Sequence, residues 1–524
     1  MKGEIMNKRL SLSVGLLCAA ILAACPTFYP FEFTRAPGLI LSPADGSLRV
    51  TWTSASPEAD SYDVYYAPGT LTGAAALKSG GTKIANTARG RIIAGLTSGE
   101  VYSVMVTANK EGLSIDSAVK QGTAGNAVGK AKRGVGHNSK DTPMQDMALL
   151  TPGVKWFYDW GIAPNSAVDT AAQTYNMTYM PMVWSGLNEG ALRAYKTAHP
   201  ECEYLLAYNE PNLTDQANMT PAQAAERWPA LLAIAQELNL KIVSPAMNYG
   251  TLSGYGDPVK WLDEFFTKPG VSLDDVSAIA IHCYMQYPSA IKSYIERFKK
   301  YGKPLWVTEF CAWENIANGT QQMEYMSDIV TYMELDPAVE RYAWFIAKGG
   351  SGSDVTAKPY NKLLTRTNPP ELTGLGAVYV NMSACDTSVY ASCGQQIEAE
   401  HFTGCNLSDW IDVSGFSRSV RFRPTTDSDD TSGGLDIYDF TQNTWVEYQI
   451  DLAVAASGIT LRNSTTGSAA AVQIAIDGAA AGTVSLPQGG WKTTGQAISL
   501  PAGKHTIRLT VSSGNCALNW IKVE

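Results

Sequence analysis

Glu210 and Glu309 are the residues best placed to do chemistry. Glu210 closes the run Tyr204-Leu-Leu-Ala-Tyr-Asn-Glu, and Glu309 closes Pro304-Leu-Trp-Val-Thr-Glu. An acid that follows four or more largely apolar residues belongs at the carboxyl end of a strand buried on both faces. An unused charge there is costly. Two such acids from separate strands are what cleavage of a glycosidic bond requires. One protonates the leaving oxygen; the other attacks the anomeric carbon or activates water.

Positioning two strand-end acids over one cleft calls for a closed parallel sheet. Apolar runs recur at 133–137, 154–158, 178–184, 204–208, 241–245, 278–282, 304–308 and 341–346, separated by amphipathic stretches. One of these begins Thr220-Pro221, a cap followed by proline at the first helical position. Eight alternations in about 250 residues predict a (β/α)8 TIM barrel over 133–382, with its active site at the carboxyl ends of the strands. No glycine-rich nucleotide loop follows any run. Aromatic faces at those ends stack on sugar rings, so Trp184, Tyr284 and Trp344 are expected as platforms and His282 as a hydrogen-bond partner in the floor. Trp313 lies in the same zone. Apolar neighbours and the nearby Glu309 are expected to raise the Glu210 pKa, as an acid catalyst needs.

The 524 residues leave room for three domains. Residues 37–124 alternate as an immunoglobulin-like β-sandwich, with period-2 runs at Leu48–Trp52 and Tyr62–Tyr65. A small-residue linker covers 125–132 and a second linker 383–392. Residues 393–524 carry short strands without helices, the pattern of a β-jelly-roll. A formal charge of −9 offers no footprint for nucleic acid, whereas 13 Trp and 25 Tyr suit a neutral polymer that stacks on rings. Lys2, Lys8 and Arg9 precede a short apolar stretch ending in Leu22-Ala-Ala-Cys25, so 1–24 reads as a signal peptide and 25–36 as a tether. None of the seven remaining cysteines shows metal-ligand spacing. Cys385–Cys393 and Cys405–Cys516 stay open as pairings, and Cys283 and Cys311 are expected to pack as small apolar residues.

Several segments resemble known families. Leu22-Ala-Ala-Cys25 resembles the bacterial lipobox, which implies acylation of Cys25, export, and attachment to a bacterial membrane, at the outer membrane or cell surface. Simple cleavage and release is the alternative. Trp52 with Leu96 and Tyr102 resembles the core and tyrosine corner of a fibronectin type III domain. Lys132-Arg-Gly, Trp156-Phe-Tyr-Asp-Trp160-Gly, Tyr179-Met-Pro-Met-Val-Trp184, Asn209-Glu210-Pro211-Asn212 and Trp306-Val-Thr-Glu309-Phe resemble glycoside hydrolase family 128. That resemblance implies a retaining β-1,3-glucanase, endo-acting, with Glu210 as acid/base, Glu309 as nucleophile and Asn209 on the sugar 2-hydroxyl. Asp159 departs from the pattern, where Asn is more usual. Ile397-Glu-Ala-Glu400, Trp445-Val-Glu-Tyr448, Gly489-Gly-Trp491 and Leu518-Asn-Trp520 resemble carbohydrate-binding module family 6. This implies a sugar clamp of Tyr438 and Trp491, an amide from Asn519 or Asn515, and a structural calcium at Glu398 and Glu400. No cofactor is expected for catalysis. The expected partners are β-glucan polysaccharide and a membrane through the lipid anchor, with the chain a monomer. The alternatives are hydrolysis of another β-linked glycan and a non-catalytic surface glycan-binding lipoprotein.

Overall fold

The computed structural model describes residues 32–524 apart from 45–46, 53, 88–90, 98–99, 125–131, 152, 314–315, 317, 349–358, 393, 395, 407–419 and 431–433. The signal segment, Cys25, most of the tether and most of the first linker therefore lie outside the described residues. No helix among the described residues is long and apolar enough to cross a membrane.

Two antiparallel sheets make up the amino-terminal unit. Leu39–Ala44, Ser47–Trp52 and Arg91–Ala94 form one; Thr82–Ile84, Ser61–Pro68, Val101–Lys110 and Leu113–Asp116 form the other, with Lys120–Thr123 also paired to Val101–Lys110. Period-2 alternation sends Leu41, Val50, Trp52, Val64, Val104 and Val106 into one shared core. The Tyr102 hydroxyl accepts a hydrogen bond from the Thr97 amide at 3.1 Å, which pins the turn before that strand. Arg49 is buried and donates to the Thr151 carbonyl at 3.0 Å, just past the helix Pro143–Leu150 of the next unit. Burial lowers its pKa to about 10.

The middle unit is a curled parallel sheet. Its strands, in chain order, are Arg133–Gly136, Trp156–Tyr158, Thr178–Tyr179, Tyr204–Leu206, Lys241–Val243, Val276–Cys283, Leu305–Phe310 and Val339–Trp344. Pairing runs from the third strand through the first and eighth back to the fourth, and a parallel bridge between Met182 and Leu206 joins the two ends. Alternation sets two layers. Trp156, Tyr158, Ala278, Ala280 and Trp306 fill the inside, while Phe157, Ile279, Ile281, Leu305 and Val307 face the helices. One irregularity matters for chemistry. Ile281 pairs with Val307 but His282 pairs with Glu309, so the seventh strand takes up one extra residue. Without that bulge, strict alternation from Trp306 would have turned Thr308 inward and Glu309 toward the helices.

The carboxyl-terminal unit is two sheets in face-to-face contact. Trp445–Leu452, Gly503–Ser513, Ala470–Ile476 and Ala479–Leu486 lie in one, with the short Ala391–Ser392 and Gly404–Cys405. Arg421–Pro424, Leu435–Thr441, Asn515–Val523, Ala456–Thr465 and Gly489–Leu500 lie in the other, with Gln396–Glu398. It sits directly on the middle unit. The Phe422 amide donates to Ser327 Oγ at 3.2 Å, and the Ser383 hydroxyl donates to the Phe402 carbonyl at 2.5 Å. Cys405 and Cys516 are free thiols, so that pairing does not form; Cys385 is also free, and Cys393 lies outside the described residues. Cys283 and Cys311 are buried in the core.

Candidate active site

Asn209-Glu210-Pro211-Asn212 follows the fourth strand and works as one device. Buried Asn212 donates through Nδ2 to the carbonyls of Asn248 (2.6 Å) and Tyr255 (3.3 Å), which holds the loop after the fifth strand against the motif. That contact needs Gly250, because a Cβ there would lie 2.4 Å from the Asn212 carbonyl oxygen. The loop so placed presents Asn248, whose Nδ2 donates to Glu210 Oε1 at 2.9 Å. His282 Nδ1 reaches the same oxygen at 2.8 Å. With Oε1 doubly engaged, Oε2 is the oxygen left for a ligand. Glu210 also holds a left-handed backbone (φ 43°), a conformation that costs a non-glycine residue about 1–3 kcal/mol.

Glu309 is gripped on both oxygens. Oε1 lies 2.9 Å from the Tyr158 hydroxyl and accepts from Trp160 Nε1 at 2.8 Å; Oε2 accepts from the Tyr284 hydroxyl and faces His282 Nδ1 at 3.5 Å. One oxygen of each glutamate and a His282 ring nitrogen all lie within 4.8 Å of one another. Burial of Glu210 pushes its pKa up, but the charge of His282 and the hydrogen bonds from His282 and Asn248 outweigh it, and the net shift is downward. Burial lowers the His282 pKa, yet the charges of Glu309 and Glu210 prevail and raise it. The expected upward shift of Glu210 is thus corrected: sequence reasoning weighed the apolar neighbours and Glu309 without the imidazole that sits between the two acids.

The acids line a cavity of about 480 Å³, bordered by Trp160, Trp184, Asn209, Gln216, Tyr284 and Trp313. Trp184 and Asn209 lie where sequence placed them. Tyr284 is there too, but its hydroxyl serves Glu309. His282 is fully buried in the floor. Trp344 is not a platform. It is fully buried, packs on Phe310, Tyr325 and Tyr379, and donates to the Asn361 carbonyl at 2.7 Å. Asp159 turns away from sugar contacts: its Oδ1 accepts from the Tyr179 hydroxyl (2.5 Å) and the Gly161 amide (3.1 Å). Sequence reasoning missed Tyr158, Trp160, Asn248 and Gln216. The first two stand within the quoted Trp156–Gly161 motif, and strand parity from Trp156 would have turned Tyr158 inward. Asn248 and Gln216 lie on loops and carry no periodic signal.

In the carboxyl-terminal unit the two expected clamp rings and the two candidate amides each make contacts within the protein. The Tyr438 hydroxyl donates to Glu324 of the middle unit at 3.0 Å, and the Arg423 guanidinium lies 5.0 Å from its ring centroid. Asn519 is fully buried, its Nδ2 3.3 Å from Asp427, which Arg462 grips at 2.6 and 2.7 Å. Trp491, like Tyr438, is partly exposed, and its Nε1 donates to Thr426 Oγ1 at 3.2 Å. Asn515 donates to Asp439 at 2.8 Å. Glu398 and Glu400 are both buried, and Glu400 Oε1 accepts from the Leu435 amide at 2.9 Å.

Paired glutamates over an aromatic cleft, at the carboxyl ends of a curled parallel sheet, define a glycosidase core. Residues 134–379 match the family model described as glycosyl hydrolase catalytic core, and 417–524 match carbohydrate binding module (family 6). The chain is 37% identical to a subgroup II endo-β-1,3-glucanase of glycoside hydrolase family 128 from Pseudomonas viridiflava. The match covers 48% of this chain and 98% of that one, with a TM-score of 0.43. It is 32% identical to the subgroup II enzyme from Sorangium cellulosum, over 48% and 98% of the two chains, with a TM-score of 0.42. On that identity over nearly the whole of both relatives, the chain belongs to glycoside hydrolase family 128. Among curated proteins it is 23% identical over 243 residues to alkali-sensitive linkage protein 1 of Schizosaccharomyces pombe. That match covers 44% of this chain and spans about two fifths (41%) of the relative's length.

Proposed function

We propose that the protein is a retaining endo-β-1,3-glucanase acting by double displacement on a complete (β/α)8 barrel. The observation that carries this is the Glu210–His282–Glu309 cluster, with one oxygen of each acid within 4.8 Å at the floor of the cleft. Retention needs carboxyl groups about 5–5.5 Å apart, and inversion a wider gap of about 6.5–9.5 Å. Glu309, held by the Trp160 indole and the Tyr284 hydroxyl with Tyr158 and His282 beside it, attacks the anomeric carbon. Glu210 Oε2 gives its proton to the departing oxygen and then takes one from the water that releases the glycosyl-enzyme. The β-1,3-glucan substrate and endo action rest on the two relatives of 37% and 32% identity.

The remaining parts of the reading have separate supports. Export and a lipid at Cys25 rest on the basic start and on Leu22-Ala-Ala-Cys25. A fibronectin type III identity for the first unit is supported by Trp52 in its core and the Tyr102–Thr97 hydrogen bond. Calcium in the last unit fits the acids present. Glu400 Oε2 is buried without a hydrogen-bond partner among the described residues. Burial and then the negative charges of Glu398 and Asp430 push the Glu400 pKa well above the usual carboxylate range. Glu398 and Glu400 would supply the hard oxygen ligands such a cation takes, neutralising that repulsion.

Incubation with laminarin, xylan and mannan tests the reading, with the anomeric form of the first product followed by NMR. Laminarin alone should be cut, to mixed oligosaccharides with the β-anomer formed first, and Glu309→Ala should abolish turnover. First appearance of the α-anomer, or full activity in Glu309→Ala, refutes it.

A further inference from the structure

Asn209 has a fixed backbone and a divided amide. Its main-chain N–H donates to the Trp184 carbonyl at 2.9 Å, and its backbone bridges Ala246 in parallel. Its Nδ2 donates to Gln216 Oε1 at 3.1 Å. Its Oδ1 has no hydrogen-bond partner among the described residues, although the residue is only 3% exposed. A buried amide oxygen left so is costly unless a ligand supplies a donor. Asn209 and Gln216 both border the cleft. The chain between them folds back on itself to make the pair meet, with the Ala217 amide donating to the Asn209 carbonyl at 3.1 Å and the Gln216 amide to the Leu213 carbonyl at 3.3 Å.

An asparagine amide on its own can turn either its oxygen or its NH2 toward a ligand, and the two ends differ in what they recognise. We infer that Gln216 is a positioning residue that settles this choice. Its Oε1 takes the amide protons of Asn209, which leaves Oδ1 as the group offered to the sugar between Glu210 and Glu309. Oδ1 can only accept, so the ring must bring a hydroxyl that donates. The inference rests on the glucanase reading, in which the hydroxyl beside the anomeric carbon meets Asn209. It adds a specificity rule: the site takes gluco-configured rings with a free equatorial 2-hydroxyl and disfavours rings in which that group is missing, inverted or capped. Because this hydrogen bond tightens as positive charge develops at the anomeric carbon, its loss falls on kcat rather than KM.

The test uses the full-length protein with an aryl β-laminaribioside and its analogue lacking the 2-hydroxyl on the ring that is cleaved. A site built to bond a hydroxyl rejects the analogue strongly, so the wild type should favour the hydroxylated substrate by about 1,000-fold or more. Gln216→Leu should cut that preference at least about 10-fold, by lowering kcat on the hydroxylated substrate while the analogue is turned over as before. Gln216→Glu keeps an acceptor for Asn209 and should keep the preference. Equal losses on both substrates in Gln216→Leu would show a merely structural role and overturn the inference, as would an unchanged preference. A wild type that cuts laminarin but makes no distinction at the 2-position overturns it while leaving the glucanase reading intact. A wild type that cuts neither aryl substrate nor laminarin overturns both.

Discussion

Arg133 sets the strongest stability test. Its side chain is fully buried, and each of its five N–H groups is used. Nε donates to the Tyr342 hydroxyl (2.9 Å), Nη1 to the carbonyls of Tyr379 (2.8 Å) and Met382 (3.0 Å), and Nη2 to Glu334 Oε1 (3.0 Å) and the Ser383 carbonyl (2.8 Å). The guanidinium therefore ties the first and eighth strands to the segment that leads into the carboxyl-terminal unit. Arg133→Met removes every one of these donors and leaves the Glu334 carboxylate buried without its cation. Breaking a buried pair from one side costs about 3–5 kcal/mol. At about 2–4 °C per kcal/mol for a unit of 150–250 residues, the calorimetric transition of the middle unit should fall by roughly 6–20 °C. The double variant Arg133→Met/Glu334→Gln keeps an acceptor for Tyr342 but removes the stranded charge. It should regain at least about 2 kcal/mol of the loss, since most of the penalty is the unpaired ion. A single variant melting within about 2 °C of wild type, or a double variant no better than the single, would refute this account.

Three further outcomes follow from the same geometry. Trp344→Ala should cost about 3–5 kcal/mol in unfolding free energy, as for other large core aromatics, whereas Trp184→Ala should leave the melting temperature nearly unchanged and raise KM for laminarin; steady-state kinetics beside calorimetry separates the two. Because folded Glu400 holds its proton well above the ordinary value near 4.5, the native state binds more protons than the unfolded one above that pH, and its contribution to stability declines as pH rises; calcium at 100 times its Kd should add about 2.7 kcal/mol at pH 8, and Glu400→Gln should abolish the response while stabilising the metal-free protein. Glu324→Ala removes the acceptor of the Tyr438 hydroxyl and should lower the melting temperature without weakening laminarin pull-down, whereas Trp491→Ala should weaken pull-down alone; the reverse pattern would restore Tyr438 to a sugar-binding role.

What could be read in the residues, and what could not, divides by the range of the forces involved. All eight strands of the curled sheet fall on the apolar runs, because burial on both faces leaves a local trace in each segment. Glu210 and Glu309 were legible for the same reason, as charges ending such runs. Trp344 was misjudged because an aromatic at a strand end reads alike whether it faces the cleft or the helices, and only the neighbouring helices decide. Strict alternation would also have misplaced Glu309, since the extra residue at Thr308 leaves no mark in composition. The hydrogen bond from Tyr438 to Glu324 left no trace in the sequence because the two lie 114 residues apart in the chain. Asn248 and Gln216 act through loops whose positions follow from Asn212 and Gly250, so their roles appear only after folding.

The location of the acid proton follows from charge counting in the buried cluster. Glu210 Oε1 and Glu309 Oε2 lie 2.8 and 3.5 Å from His282 Nδ1, and Glu210 and His282 titrate as a coupled pair. A state with imidazolium and two carboxylates carries the same net charge as one with neutral imidazole, protonated Glu210 and ionised Glu309. The two differ by one proton moved within the cluster, so a Glu210 pKa held low by His282 does not deprive the enzyme of its acid. A sugar filling the cleft displaces water from Glu210 Oε2, and that desolvation favours the neutral carboxyl. In the double displacement we propose, esterification of Glu309 would remove its negative charge and with it one of the two anions that favour the protonated state of the cluster. Glu210, having given its proton to the leaving group, is left as a carboxylate able to act as a base, with Asn248 still donating to Oε1. On the proposed double displacement, the imidazole that first looks like an obstacle to acid catalysis would let one carboxyl group serve as acid in the first half of the reaction and as base in the second.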